Sequence, residues 1–329
     1  KGQILQEGLS EAGAFSSWIA AGTSYSNHGI NMIPFFIFYS MFGFQRIGDL
    51  IWAAGDMQAK GFLLGATSGR TTLNGEGLQH QDGHSHLLAS TVPNCVAYDP
   101  TFAYELAVIM QDGLRRMYRE NERVFYYITL MNEAYHHGPL PEGVEEGIRK
   151  GMYLLAEDTE ASDDAPRVQL MGSGAILREV VEAAALLAGD FGVAADVWSV
   201  PSFNELRRDG QSVTRWNRLH PDEEPRRCYV EECLDGRSGP FVASTDYMRS
   251  VSEQIREWVP GRYTTLGTDG FGRSDTRARL RRFFEVDRHH VVVAALEALA
   301  DEGAVPKGRV AEAIEKYEID AEAVDPWIR

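Results

Sequence analysis

Glu11 stands in the run Leu9-Ser10-Glu11-Ala12-Gly13, a lone carboxylate among small neighbours where an Ala-rich stretch begins. A carboxyl so placed can hold or pass a proton. It can equally be a helix-start acid favoured by the positive end of the helix. Glu76 and His80 are four residues apart, close enough to handle a proton together. His80 also opens the set His80, Asp82, His84 and His86. Gly83 interrupts any helix there and the spacing matches no standard zinc pattern, so a polar loop without metal is expected. Tyr39, Phe42 and Arg46 follow at helical spacing, which suits either a flat ring or a packed core. Two glycine signals are incomplete. Gly172-Ser173-Gly174 precedes Leu177 where a dinucleotide fingerprint needs a third glycine, and Thr268 to Asp275 lacks the Lys-Ser/Thr of a phosphate loop. Both read as structural turns.

The elements that must hold these residues follow from the hydrophobic pattern. Glu11 to Ala21 reads as a helix, Ile33 to Tyr39 as a buried strand and Asp49 to Leu64 as a second helix. Gly65 to His86 is irregular, with five glycines among polar residues, and a loop this long is usually functional or disordered. Asn94 to Tyr98 and Val124 to Leu130 read as strands around a helix at Ala103 to Arg116, with more helix from Glu142. Glu157 to Pro166 holds five acidic residues and no basic one, the best linker candidate. Beyond it, strand Arg167 to Met171, the Ala-rich helix Ile176 to Gly189 and strand Val193 to Val200 form a βαβ pattern, which implies parallel pairing. Pro240 to Ser244 and Tyr263 to Leu266 read as further strands. Val291 to Leu299 opens a helix, and the last thirty residues read as helical and polar. The expectation is two α/β domains with mainly parallel sheets: residues 1–156, an acidic linker at 157–166, and residues 167–329.

Lys and Arg number 32 against 48 Asp and Glu, a net charge of −16 that argues against non-specific nucleic-acid binding and against anionic membranes. The most apolar stretch, Met32 to Phe44, contains Pro34, Ser40 and Gly43 and falls short of the about 20 residues a membrane span needs. Three cysteines in a long chain are no disulfide framework and favour a reducing cytoplasm. Cys228 and Cys233 have no companion ligands for zinc. The opening at Lys1, not Met, suggests the C-terminal part of something longer.

Four blocks carry a resemblance: EGLSEAGA; FYSMFGFQRIGDLIWAAGDMQAKGFLLGATSGRTTLNGEGLQHQDGHSH; YDPTFAYELAVIMQDGLRRMY; and GTDGFGRSDTRARLRRFFEVD. The chain resembles the homodimeric E1 component of bacterial pyruvate dehydrogenases, thiamine-diphosphate enzymes related to transketolase. The resemblance implies a pyrimidine-binding domain followed by a transketolase-like C-terminal domain. The GDG…N motif that binds diphosphate and Mg²⁺ in that family is not in this sequence, so those ligands are expected elsewhere and the chain alone is expected to be catalytically incomplete.

On the same resemblance, Glu11 is the glutamate that bonds the pyrimidine ring nitrogen, and burial would raise its pKa and help it hold that proton. Tyr39 and Phe42 form the aromatic wall beside the pyrimidine. Arg46 joins them in binding cofactor, and Glu76 and His80 line the substrate pocket, with His80 catalytic beside Glu11. The implied reaction is decarboxylation of pyruvate and transfer of the two-carbon unit to a lipoyl group of the E2 acetyltransferase core, by a homodimer. An E1 for another short 2-oxo acid such as 2-oxobutyrate stays open, because one methylene is worth only ~1–3 kcal/mol of discrimination. A non-catalytic dimerisation or assembly module stays open as well.

Overall fold

The structure, a computed structural model, describes residues 3–162 and 164–328. Lys1, Gly2, Asp163 of the acidic stretch and Arg329 lie outside them. Two sheets organise the chain. The first runs β1 (Phe35–Phe38), β2 (Phe62–Ala66), β4 (Phe125–Leu130), β3 (Cys95–Tyr98), all parallel. The second runs β5 (Tyr153–Ala156), β7 (Ala194–Ser199), β6 (Arg167–Gly172), β8 (Phe241–Ser244), β9 (Tyr263–Leu266). Among the described residues, the β5–β7 pair alone is antiparallel. This is the α/β architecture the pattern predicts.

Parallel sheets need cover on both faces, and the period-2 alternation supplies it. In the first sheet Leu63, Cys95, Ala97, Phe125 and Tyr127 face the helices Glu11–Gly22 and Ser40–Asp56, packing on Phe15, Trp18, Ile47 and Ile51. Their neighbours Phe62, Val96, Tyr98, Tyr126 and Ile128 turn the other way, onto Val108 and Ile109 of the helix Ala103–Leu114. The second sheet packs one face on the helices Leu177–Leu186 and Arg288–Asp301 and the other on Phe203–Leu219. No helix among the described residues is long and apolar enough to cross a membrane.

Three expectations change. β1 lies at the sheet edge and buries only Phe38, leaving Phe35 45% and Ile37 65% exposed. The helix expected from Asp49 starts at Ser40 and ends at Asp56, and Phe62 onward is strand. The chain also passes into the second sheet before the acidic stretch, because β5 precedes residue 157 and pairs with β7. The start of the acidic stretch is tied to the second sheet: the Asp158 amide donates to Asp196 Oδ1 and Arg167 Nη2 donates to the Asp158 carbonyl.

Candidate functional site

Ligands of open parallel sheets gather beyond the carboxyl ends of the strands, and the candidate residues do so here. Tyr39 follows β1 directly and caps the helix Ser40–Asp56. Phe42 and Arg46 lie one turn apart on that helix, with the Arg46 guanidinium 4.0 Å above the Phe42 ring. The loop after β2 delivers Glu76 and His80. The His80 ring meets Tyr39 at 4.8 Å and Phe42 at 5.1 Å between centroids, and Tyr39 and Phe42 meet edge-on at 6.0 Å. Glu11 is the first residue of its helix, whose start is fixed by the Ser10 hydroxyl accepting from the Gly13 amide. Its carboxylate takes the other end of Arg46 at 2.6 Å. All six residues, drawn from three elements, thus form one unbroken set of contacts.

Two details differ from expectation. Glu11 was expected to be buried with a raised pKa, but its side chain is 30% exposed. Its carboxyl is held below the usual carboxylate range, first by a backbone N–H at the helix start and also by Arg46, against the smaller opposing effect of burial. The Glu76–His80 pair is present but long: Nδ1 to Oε2 is 3.4 Å, and Nδ1 is buried without a hydrogen-bond partner. A buried nitrogen without a partner is uncommon and marks His80, beside an aromatic wall and an exposed carboxylate, as a position of interest.

The histidine cluster separates. Asp82 accepts from the His84 and Ser85 amides and starts the short helix Ser85–Ala89. His84 Nε2 lies 2.6 Å from the Gln45 amide. His86 is buried against Thr129 Oγ1 at 3.0 Å, and burial lowers its pKa. Among the described residues no group of three or more His, Cys, Asp or Glu is placed to hold a metal ion. All three cysteines are free.

The sequence reading missed how far the second domain reaches into this site. The Asp246 carboxylate, fully buried just beyond β8, accepts from the Thr71 amide at 3.1 Å, and Gln81 meets the backbone of Arg273. The only advance signal was the density of glycines in the loop: a Cβ at Gly69 would lie 2.2 Å from Asp246 Oδ2 and one at Gly77 2.5 Å from Ser274 Oγ.

Residues 1–138 match the family described as the pyruvate dehydrogenase E1 component middle domain, and residues 151–287 the transketolase-like TK C-terminal domain. The pyruvate dehydrogenase E1 component of Pseudomonas aeruginosa is 69% identical over 327 residues, which are 99% of this chain and 37% of that protein. That of Escherichia coli is 62% identical over 328 residues, 99% and 36% respectively. The chain therefore spans little more than a third of the length of these relatives. The solved transketolase from Leishmania mexicana superposes with a TM-score of 0.62 at 18% identity, over 91% of this chain and 38% of that one, a likeness of fold.

Proposed function

We propose, since the chain belongs to the pyruvate dehydrogenase E1 family as its middle and transketolase-like C-terminal domains, that it supplies the pyrimidine side of a thiamine-diphosphate site. The activity we assign to the whole protein is oxidative decarboxylation of pyruvate with reductive acetylation of the lipoyl group of an E2 acetyltransferase. It would act as a cytoplasmic homodimer. The observation that carries this reading is the convergence of Glu11, Tyr39, Phe42, Arg46, Glu76 and His80 at the strand ends.

Thiamine diphosphate, when bound, supplies the electron sink for losing the carboxylate of a 2-oxo acid. The chain's own residues do the rest. Glu11 shares a proton between its carboxyl and a ring nitrogen, which requires the helix-start amide and Arg46 to give up part of their hold on the carboxylate. Tyr39 and Phe42 present flat faces that orient the ring and exclude water. Glu76 orients the His80 imidazole through Nδ1, 3.4 Å from its Oε2, so that the ring can present its other nitrogen to a substrate oxygen. Mg²⁺ is part of the same proposal and would be held by ligands outside these six residues.

The test is Glu11→Gln in the holoenzyme containing this chain, with C2–H exchange of bound thiamine diphosphate as readout. Loss of one preorganised proton-sharing contact should slow exchange roughly 10²–10³-fold. Exchange and turnover within about two-fold of the parent would assign Glu11 to helix capping alone.

A further inference from the structure

The loop that carries Glu76 and His80 belongs to the first domain by sequence, yet its conformation is written by the second. Three kinds of contact fix it. At its start, the Thr71 amide donates to both oxygens of the buried Asp246 carboxylate, at 3.1 and 3.2 Å. At its end, the Met248 amide donates to the Gly83 carbonyl at 2.9 Å. In its middle, the Asp275 amide donates to the Asn74 carbonyl at 3.0 Å, and Arg277 Nε to the Thr72 carbonyl at 3.0 Å.

Gln81, the neighbour of His80 in the chain, closes the arrangement. Its side chain is fully buried. Nε2 donates to the Leu73 carbonyl at 2.8 Å and the Arg273 carbonyl at 2.5 Å, while Oε1 accepts from the Arg273 amide at 2.6 Å. One amide thus ties the two limbs of the loop to each other and both to the second domain. A buried amide with both donors and its oxygen paired fixes its own backbone closely, because alternative positions leave polar groups unpaired. A one-residue offset then leaves the His80 ring little freedom except against Tyr39 and Phe42.

We propose that Gln81 is a positioning residue through which the C-terminal domain sets the place of His80 and Glu76 in the site. This rests on the reading of His80 as a site residue for its functional meaning, but not for its test. A loosened clamp would let the imidazole leave the aromatic wall while both domains stay folded.

The experiment uses the chain itself, ¹⁵N-labelled, with Gln81→Ala. The readouts are the His80 ring resonances, shifted by the two aromatic neighbours, and amide exchange across residues 71–83. Losing the two donated bonds should speed exchange in that segment by at least about tenfold and move the His80 ring signals toward free histidine. A matched control is Asn94→Ala. Asn94 Nδ2 also donates to two carbonyls, Gly55 and Arg123 at 2.9 and 3.1 Å, at the opposite end of the first sheet. It should leave the His80 signals in place. Should Gln81→Ala fail to fold, Gln81→Glu, which keeps the acceptor for the Arg273 amide, carries the test with a smaller expected change. Unmoved His80 signals with unchanged loop exchange would overturn the proposal, as would equal His80 shifts in Asn94→Ala. A clamp that passes this test while His80→Ala leaves turnover intact would instead refute the role of His80.

Discussion

Asp246 offers the sharpest pH test. Its carboxyl is fully buried between the Thr71 amide and the second-domain core, and burial pushes its pKa from 3.8 up to about 7. The Arg281 guanidinium and the Thr71 contact pull the other way, while Asp99 adds to the rise. The folded chain therefore binds this proton more tightly than the unfolded chain does. The resulting stability is complete below about pH 3.8, declines as pH rises, and is gone above about pH 7. At about 1.4 kcal/mol per pKa unit the difference across the window is on the order of 4 kcal/mol. Asp246→Asn keeps an oxygen to accept from Thr71 and removes the titration. Urea unfolding of parent and variant from pH 5 to 8 isolates the effect, because contributions from other carboxylates cancel in the difference. The variant should gain on the parent steadily as pH rises. Parallel profiles, differing by less than about 1 kcal/mol across the range, would show that the carboxylate is already ionised at pH 5 and the reasoning wrong.

Arg46→Met should raise the Glu11 pKa by removing its cationic partner, followed by ¹³C-detected titration of the carboxyl; no upward movement would leave the helix-start amide as the sole cause. Gly69→Ala, at φ +85° with its Cβ facing Asp246, should cost at least about 2 kcal/mol in urea unfolding. Trp18→Phe removes an indole N–H that donates to the Pro34 and Phe62 carbonyls at 3.2 Å, and should cost about 1–3 kcal/mol by the same assay. Glu105→Ala leaves buried donors from Phe102, Tyr153 and Ser199 without their acceptor and should cost about 3 kcal/mol or more, seen as a lowered thermal midpoint.

Local pattern was legible where one residue type dominated a period. Phe125–Leu130 alternates large apolar side chains between two covered faces, and its strand is plain from sequence. The start of the helix Ser40–Asp56 was hidden, because its first turns are aromatic and broken by Gly43, both weak in helix propensity. The structure explains that glycine: a Cβ there would stand 2.0 Å from the Phe38 ring. The unread helix Phe203–Leu219 did carry a signal, Ser202 followed by Glu205, and the Ser202 hydroxyl accepts from the Glu205 amide at 3.0 Å. The candidate residues were named from family resemblance, and no local period would have shown that Glu11, the Tyr39–Arg46 segment and the loop after β2 meet. Asp246 was not, because its partner Thr71 lies 175 residues away and no local period links them.

The exposed edge of β1 bears on the proposed dimer. An edge strand presents unpaired amides and carbonyls, and chains normally blunt such edges with charge, proline or a covering element. Here the outward residues are Phe35 and Ile37, approached through Ile30, Met32 and Ile33, each about half exposed or more. Pro34 precedes the strand, yet no charged residue lies between His28 and Arg46. An uncharged apolar band of this kind on a chain of net charge −16 is most simply covered by another surface. It runs directly into Tyr39, itself 42% exposed at the mouth of the candidate site. A surface that covers β1 would therefore lie beside Tyr39 and the mouth of the candidate site.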